Sequence, residues 1–136
     1  MSSRKAISIL IAIIIVVIII GPLFQPSKDE VESFLSKIAI PIEDTDYKIE
    51  YQRAHYIRTH TACFFGKIIP VIPPLCMYTP FHYFNYIELD PNTGETEYHV
   101  YLMVKTRDYD CLVYNPVNGK YIGTCKELLN QTRKLQ

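Results

Sequence analysis

The chain opens on a nearly unbroken apolar run, Ala6 to Ile20, in which Ser8 is the single polar interruption, and the run extends through Gly21, Pro22 and Leu23 to Phe24. A helix lying against a soluble core shows a polar stripe, and this one has none. At about 1.5 Å per residue the longer span rises roughly 28 Å, close to the thickness of a bilayer's hydrocarbon core. The pattern therefore predicts a transmembrane anchor over residues 6–24, in contact with the lipid bilayer. Arg4 and Lys5 precede it, whereas Lys28, Asp29 and Glu30 follow it with no positive excess. That asymmetry assigns residues 1–5 to the cytoplasm and residues 25–136 to an extracytoplasmic β-rich domain, a single-pass arrangement. A cleaved secretory signal would end in small residues, which Ile20-Gly21-Pro22-Leu23 does not provide, so the anchor is expected to be retained.

Beyond the run, Ser27 with Glu30 forms a capping-box pattern that opens a helix through about Ile38. Val31, Phe34, Leu35 and Ile38 share one face of it. Pro41 ends the helix. From Tyr47 the period changes to two, with Tyr47, Ile49 and Tyr51 alternating against Lys48, Glu50 and Gln52, which predicts a strand. A longer alternation covers Thr96 to Thr106, and shorter ones lie near Tyr83 to Leu89, Leu112 to Tyr114 and Lys120 to Gly123. Two connections, Asp90-Pro91-Asn92-Thr93-Gly94 and Asn115-Pro116-Val117-Asn118-Gly119, share an Asx-Pro-x-x-Gly pattern. In each the Asx side chain reaches backbone ahead, proline presets the turn, and glycine takes a positive φ. Residues 126–136 read as a short terminal helix carrying Leu128, Leu129 and Leu135. The expected fold class is α+β: an N-terminal transmembrane helix, then a small antiparallel β-meander domain with one packed helix.

The segment from Phe64 to Phe81 is apolar with one charge, Lys67, and its prolines at 70, 73, 74 and 80 exclude a regular helix. A second membrane span is excluded with it, since lipid demands internally paired backbone. Either the segment lies extended over the core, or it is an exposed loop that touches a membrane or a protein partner through Ile69, Ile72 and Leu75.

Composition adds eleven Tyr, six Phe and no Trp. Tyrosine at this density favours strands and suits both a sheet face and a binding surface. After Arg4 and Lys5 are set aside, twelve basic residues face fourteen acidic ones, which argues against a nucleic-acid partner. The four cysteines, Cys63, Cys76, Cys111 and Cys125, all lie beyond the apolar run. On an oxidising side they are disulfide candidates, with Cys63–Cys76 and Cys111–Cys125 as the nearest-neighbour pairing among three connectivities. Free buried thiols are one alternative. A zinc site is another, because His60, Cys63, Cys76 and His82 supply two imidazoles and two thiolates, although in an order unlike the usual paired spacing.

His55 and His99 fall within strand patterns and read as surface or sheet-face residues. Asp108 and Asp110 beside Arg107 read as a solvated turn. Asn130-Gln131-Thr132 is a glycosylation sequon at Asn130. Neither a phosphate-binding glycine loop, a nucleophile elbow nor a Cys-x-x-Cys redox pair occurs in the chain, so no enzyme and no cofactor is expected.

Arg4-Lys5-Ala6-Ile7 followed by an isoleucine-rich helix resembles the class III signal of archaeal prepilins. The resemblance covers residues 4–20 and implies cleavage between Ala6 and Ile7, a filament-packing first helix, and an archaeal or archaeal-virus source. Gly21-Pro22 and Pro26 depart from it, since a pilin's first helix runs unbroken into its globular domain. The hairpin Tyr86 to Val100 is faintly similar to those of PepSY-type extracytoplasmic domains, and no residue role carries over. Function is accordingly expected to be non-enzymatic: a membrane-anchored binding or assembly module, with a minor pilin-like subunit or a metal-binding extracytoplasmic domain as alternatives.

Overall fold

In the computed structural model, which describes residues 2–20, 25–64, 67–70 and 79–135, the chain is α+β. Four helices accompany two antiparallel sheets: α1 (Ser3–Ile20), α2 (Lys28–Ile38), α3 (Tyr47–Thr59), β1 (Thr61–Phe64), β2 (Lys67–Pro70), β3 (Phe81–Leu89), β4 (Thr96–Lys105), β5 (Cys111–Tyr114), β6 (Tyr121–Thr124) and α4 (Cys125–Leu135).

The expected transmembrane anchor is corrected. Among the described residues no helix is long and apolar enough to cross a membrane. Helix α1 is 18 residues long, and its first turn holds Ser3, Arg4 and Lys5. The apolar remainder, Ala6 to Ile20, rises about 22 Å, short of the roughly 30 Å of a hydrocarbon core. Residues 21–24, which lengthen the apolar run in the sequence, lie outside the described residues. The single-pass, N-terminus-inside topology that rested on the longer span falls with it.

Helix α2 begins as its cap pattern requires, with Ser27 accepting from the Glu30 amide at 3.2 Å. Val31 and Leu35 are buried beneath it, and Phe34 and Ile38 pack alongside.

Residues 47–52 are helical, not extended. Asp46 caps α3 by accepting from the Ile49 amide at 2.9 Å. Tyr47 and Tyr51, which alternate in a strand register, are equally spaced for one helical face, and they stack outward with ring centroids 6.4 Å apart. The inward positions are Glu50, Ala54 and Ile57, and a charged residue at the first of them hides the helical period.

Strands β3 to β6 form a four-stranded meander in the order β3-β4-β5-β6. The two Asx-Pro turns close it alike: Gly94 N donates to Asp90 O at 2.8 Å and Gly119 N to Asn115 O at 2.9 Å, with both glycines at φ near +70° (74° and 72°). One packed helix was too few. Val100, Leu102, Val104, Leu112 and Tyr114 face α2 and α3 with Phe81. Phe84, Tyr86, Tyr101 and Val113 face the opposite way, against Cys125 and Leu128 of α4. Thr124 and Glu127 start α4 as a reciprocal capping box, each side chain facing the other's amide at 3.2 and 3.4 Å. Cys111 and Cys125 form a disulfide with Cα atoms 5.4 Å apart, tying β5 to α4. The two-stranded sheet pairs Cys63 with Ile68 in backbone register. Cys76 and the core of the proline-rich segment lie outside the described residues.

The turns respond differently to a methyl group. Gly94→Ala should cost about 1–2 kcal/mol, the penalty of a left-handed conformation alone, because nothing lies within 4 Å of the added Cβ. Gly119→Ala should cost more, since its Cβ would stand 3.3 Å from the Leu35 carbonyl oxygen. Urea denaturation of the two variants checks the order, and equal losses would mean that α2 gives way. Replacing Cys111 and Cys125 together by Ser should lower stability by about 3 kcal/mol in the same assay, the chain-entropy value for a loop of this length.

Candidate functional site

Strand β5 pairs with β4 only as far as Leu102↔Tyr114, so among the described residues the first half of β4 has no strand beside it on that side. An unpaired sheet amide in the interior would be costly. Glu50 of α3 fills the vacancy: its Oε1 accepts from the Val100 amide at 3.1 Å. The same carboxylate meets His99 Nδ1 at 3.0 and 2.9 Å from its two oxygens and accepts from the Thr45 hydroxyl at 2.6 Å. Asn115 Nδ2 donates in turn to Thr45 Oγ1 at 2.9 Å. Glu50 has no exposed surface, and three donors replace the water it has lost.

With Nδ1–H donating to a carboxylate, the other ring nitrogen of His99 is left to the cleft. His99 is 9% exposed, and its Nε2 is buried without a hydrogen-bond partner. It lies 3.3 Å from Glu88 Oε2 and 3.5 Å from Glu97 Oε2, ion-pair distances if the ring is protonated. Glu88 and Glu97 stand directly opposite each other across the β3–β4 ladder, and Tyr86 stands opposite His99. Like charges at directly opposed positions destabilise a sheet. The pair is exposed, and its carboxylates converge on the imidazole.

This cluster forms one wall of a cleft of about 580 Å³. The 43–46 segment ahead of α3 and the 115–120 turn complete it, adding Glu43, Asp44 and Asp46 against Lys120, which pairs with Glu43 at 3.4 Å. Tyr101 lines the cleft as well and stacks on His99, with ring centroids 5.2 Å apart. Burial, then the charge of Glu50 and Glu88, holds its phenol well above the ordinary tyrosine range. Tyr86 is raised by burial and then by Glu88.

The residues singled out from sequence fall elsewhere. His60 caps the C-terminal end of α3 and stacks on Tyr56 at 4.3 Å. His82 is exposed on β3, beside a smaller cavity that also touches Cys111. The Cys63 side chain and all of Cys76 lie outside the described residues, so the His-Cys-Cys-His set is not assembled among them. Ile69 is 37% exposed on β2, while Ile72 and Leu75 lie outside the described residues. Asn130 is exposed on α4. His55 sits on α3, not on a strand, and its Nδ1 lies 3.0 Å from the Tyr83 hydroxyl. The 107–110 turn is more than solvated surface: Arg107 pairs with Glu30 at 2.7 Å, and Asp108 accepts from the Lys28 amide at 3.0 Å.

His99, read from sequence as a surface or sheet-face position, is a buried residue at the centre of the cluster. Its signal was present in the Asp90–Gly94 turn, whose symmetry sets Glu88 against Glu97. Glu50 was missed because residues 47–52 read as a strand.

No protein-family model matches the chain, and comparison with curated proteins and with solved structures likewise yields no match.

Tyr101 in the cleft and Tyr86, on which it stacks, carry a pH prediction. A phenol whose folded pKa lies above its unfolded value of 10.0 favours the protonated form in the native state. The corresponding stability is complete below pH 10 and is lost as pH rises from there through the folded values. Tyrosinate absorbance at alkaline pH should therefore rise in two stages, the second coinciding with loss of circular dichroism, and Tyr101→Phe should move that second stage to higher pH. A single rise near pH 10 with the fold intact would contradict it.

Proposed function

We propose that the chain is a non-enzymatic binding module and that the cleft beside the β3–β4 hairpin takes a positively charged ligand. One observation carries the reading: Glu43, Asp44, Asp46, Glu88 and Glu97 line the cleft against a single amine, Lys120, already engaged by Glu43. Behind this wall stands a sixth carboxylate, Glu50, so a proton on His99 would leave the immediate cluster of Glu50, Glu88 and Glu97 still in negative excess. Clefts of one sign concentrate the opposite charge and raise its rate of arrival. The cleft's floor is preorganised by the Thr45–Glu50–His99 chain of hydrogen bonds, so little ordering is required of it when a ligand arrives.

Calorimetric titration of the full chain with a divalent ion, spermidine and a lysine-rich peptide tests the reading. At least one should bind, more weakly as salt rises, and a Glu88→Lys/Glu97→Lys variant should lose it. Absence of binding by every cation, or equal binding by the charge-reversed variant, would remove the cleft as the site.

A further inference from the structure

Resting on the reading of the cleft as a cation site, we propose that its ligand is a first-row divalent metal ion of the zinc type, held by His99 Nε2, Glu88 and Glu97. Three features of the geometry select a metal over an organic cation. The donor atoms of the three side chains lie within 4.8 Å of one another, close enough for one ion to touch all three. The separations of Nε2 from the two carboxylate oxygens, 3.3 and 3.5 Å, exceed the roughly 2.7–2.9 Å of a charge-assisted hydrogen bond. They match the edge of a tetrahedron with bonds of about 2.1 Å, which is roughly 3.4 Å.

The second feature is the imidazole's orientation. Glu50 receives Nδ1–H, which places the Nε2 lone pair toward two carboxylates that are themselves acceptors. Three lone-pair donors facing one point repel one another until a cation stands between them. A carboxylate behind the ligating imidazole is the usual support of a histidine-bound metal: it fixes the tautomer and raises the basicity of the ligating nitrogen.

The third is the donor set. One imidazole and two carboxylates suit zinc, manganese or cobalt, whereas calcium and magnesium take oxygen donors alone. Three protein ligands leave at least one position toward the open cleft. A water or a carboxylate from a partner molecule would occupy it, which turns a cation site into a point of attachment.

The test uses zinc itself, on the full chain with free thiols first blocked by iodoacetamide so that Cys63 and Cys76 cannot compete. One equivalent should bind. Glu88→Gln/Glu97→Gln should abolish binding at micromolar zinc without lowering the thermal unfolding temperature of the zinc-free chain, because both side chains are more than half exposed and their like charges oppose each other. Glu50→Gln, which keeps the shape of the positioning residue, should weaken binding about 10–100-fold. The 15N shift of His99 Nε2 should move on zinc addition in the wild-type chain, a readout that a purely structural role of the hairpin would leave unmoved. Zinc bound equally by the double Gln variant would overturn the assignment. If zinc, cobalt and manganese all fail to bind while spermidine or the lysine-rich peptide binds, the metal inference falls and the cationic-ligand reading stands. If no cation binds, both fall.

Discussion

Moving a carboxylate out of water costs several kcal/mol unless donors take the place of the solvent, and Glu50 is wholly enclosed with the Val100 amide, the Thr45 hydroxyl and the His99 ring as those donors. Two of the donors are neighbours on β4 and the third comes from the segment ahead of α3. The requirement that they meet at one point fixes α3 over β4, the 43–46 segment over the cleft, and the imidazole in its plane. Losing any one of them would leave a buried charge under-compensated, so the network specifies how α3 sits while Ala54 and Ile57 bury its apolar positions. The same requirement explains how an edge of β4 that β5 does not reach is satisfied without a further strand.

The sheet divides the work between its faces. The face under α2 and α3 is a continuous apolar layer, with Phe81, Leu102, Leu112 and Tyr114 almost completely enclosed. The face under α4 is aromatic near Phe84, Tyr86 and Tyr101, is clipped by Cys111–Cys125, and opens into the cleft at His99. A strand reads as alternately apolar and polar when one of its faces is wet. In β4 the second face passes from exposed Glu97 through His99 and Tyr101 to Met103, from solvent into a second core. That gradient is why chemistry can sit at one end of the hairpin while the other end is structural.

Much of the architecture was legible in the residues. Ser27 and Glu30 announce α2, the Asx-Pro-x-x-Gly pattern announces both turns, and alternation announces β3 and β4 to within two residues at their ends. Cysteines flanking the second turn anticipate the disulfide. Helix α3 was hidden because Tyr47, Ile49 and Tyr51 satisfy period two and because its inward face begins with glutamate, a residue that apolar-periodicity arguments place outside. The site was hidden for the same reason, since its organising carboxylate belongs to that helix. The apolar N-terminal run misled in another way: its length was counted through Gly21 and Pro22, which lie outside the described residues, whereas the described helix spans Ser3–Ile20 and begins with a polar turn.

The two turns share a sequence pattern but differ in mechanical setting. Gly119 presses against the backbone of α2, and Asn118 Nδ2 donates to the Ile42 carbonyl, so that connection is wedged between other parts of the fold. The Asp90–Glu95 turn projects into solvent with open space around Gly94 and exposed residues throughout 91–98. That open space makes it a place where the chain can be lengthened, since a graft at Asn92 or Thr93 starts from exposed residues. The Leu89↔Thr96 rung stands between such a graft and the opposed glutamates, so a fluorophore carried there would sit beside the cleft without entering the ladder that builds it.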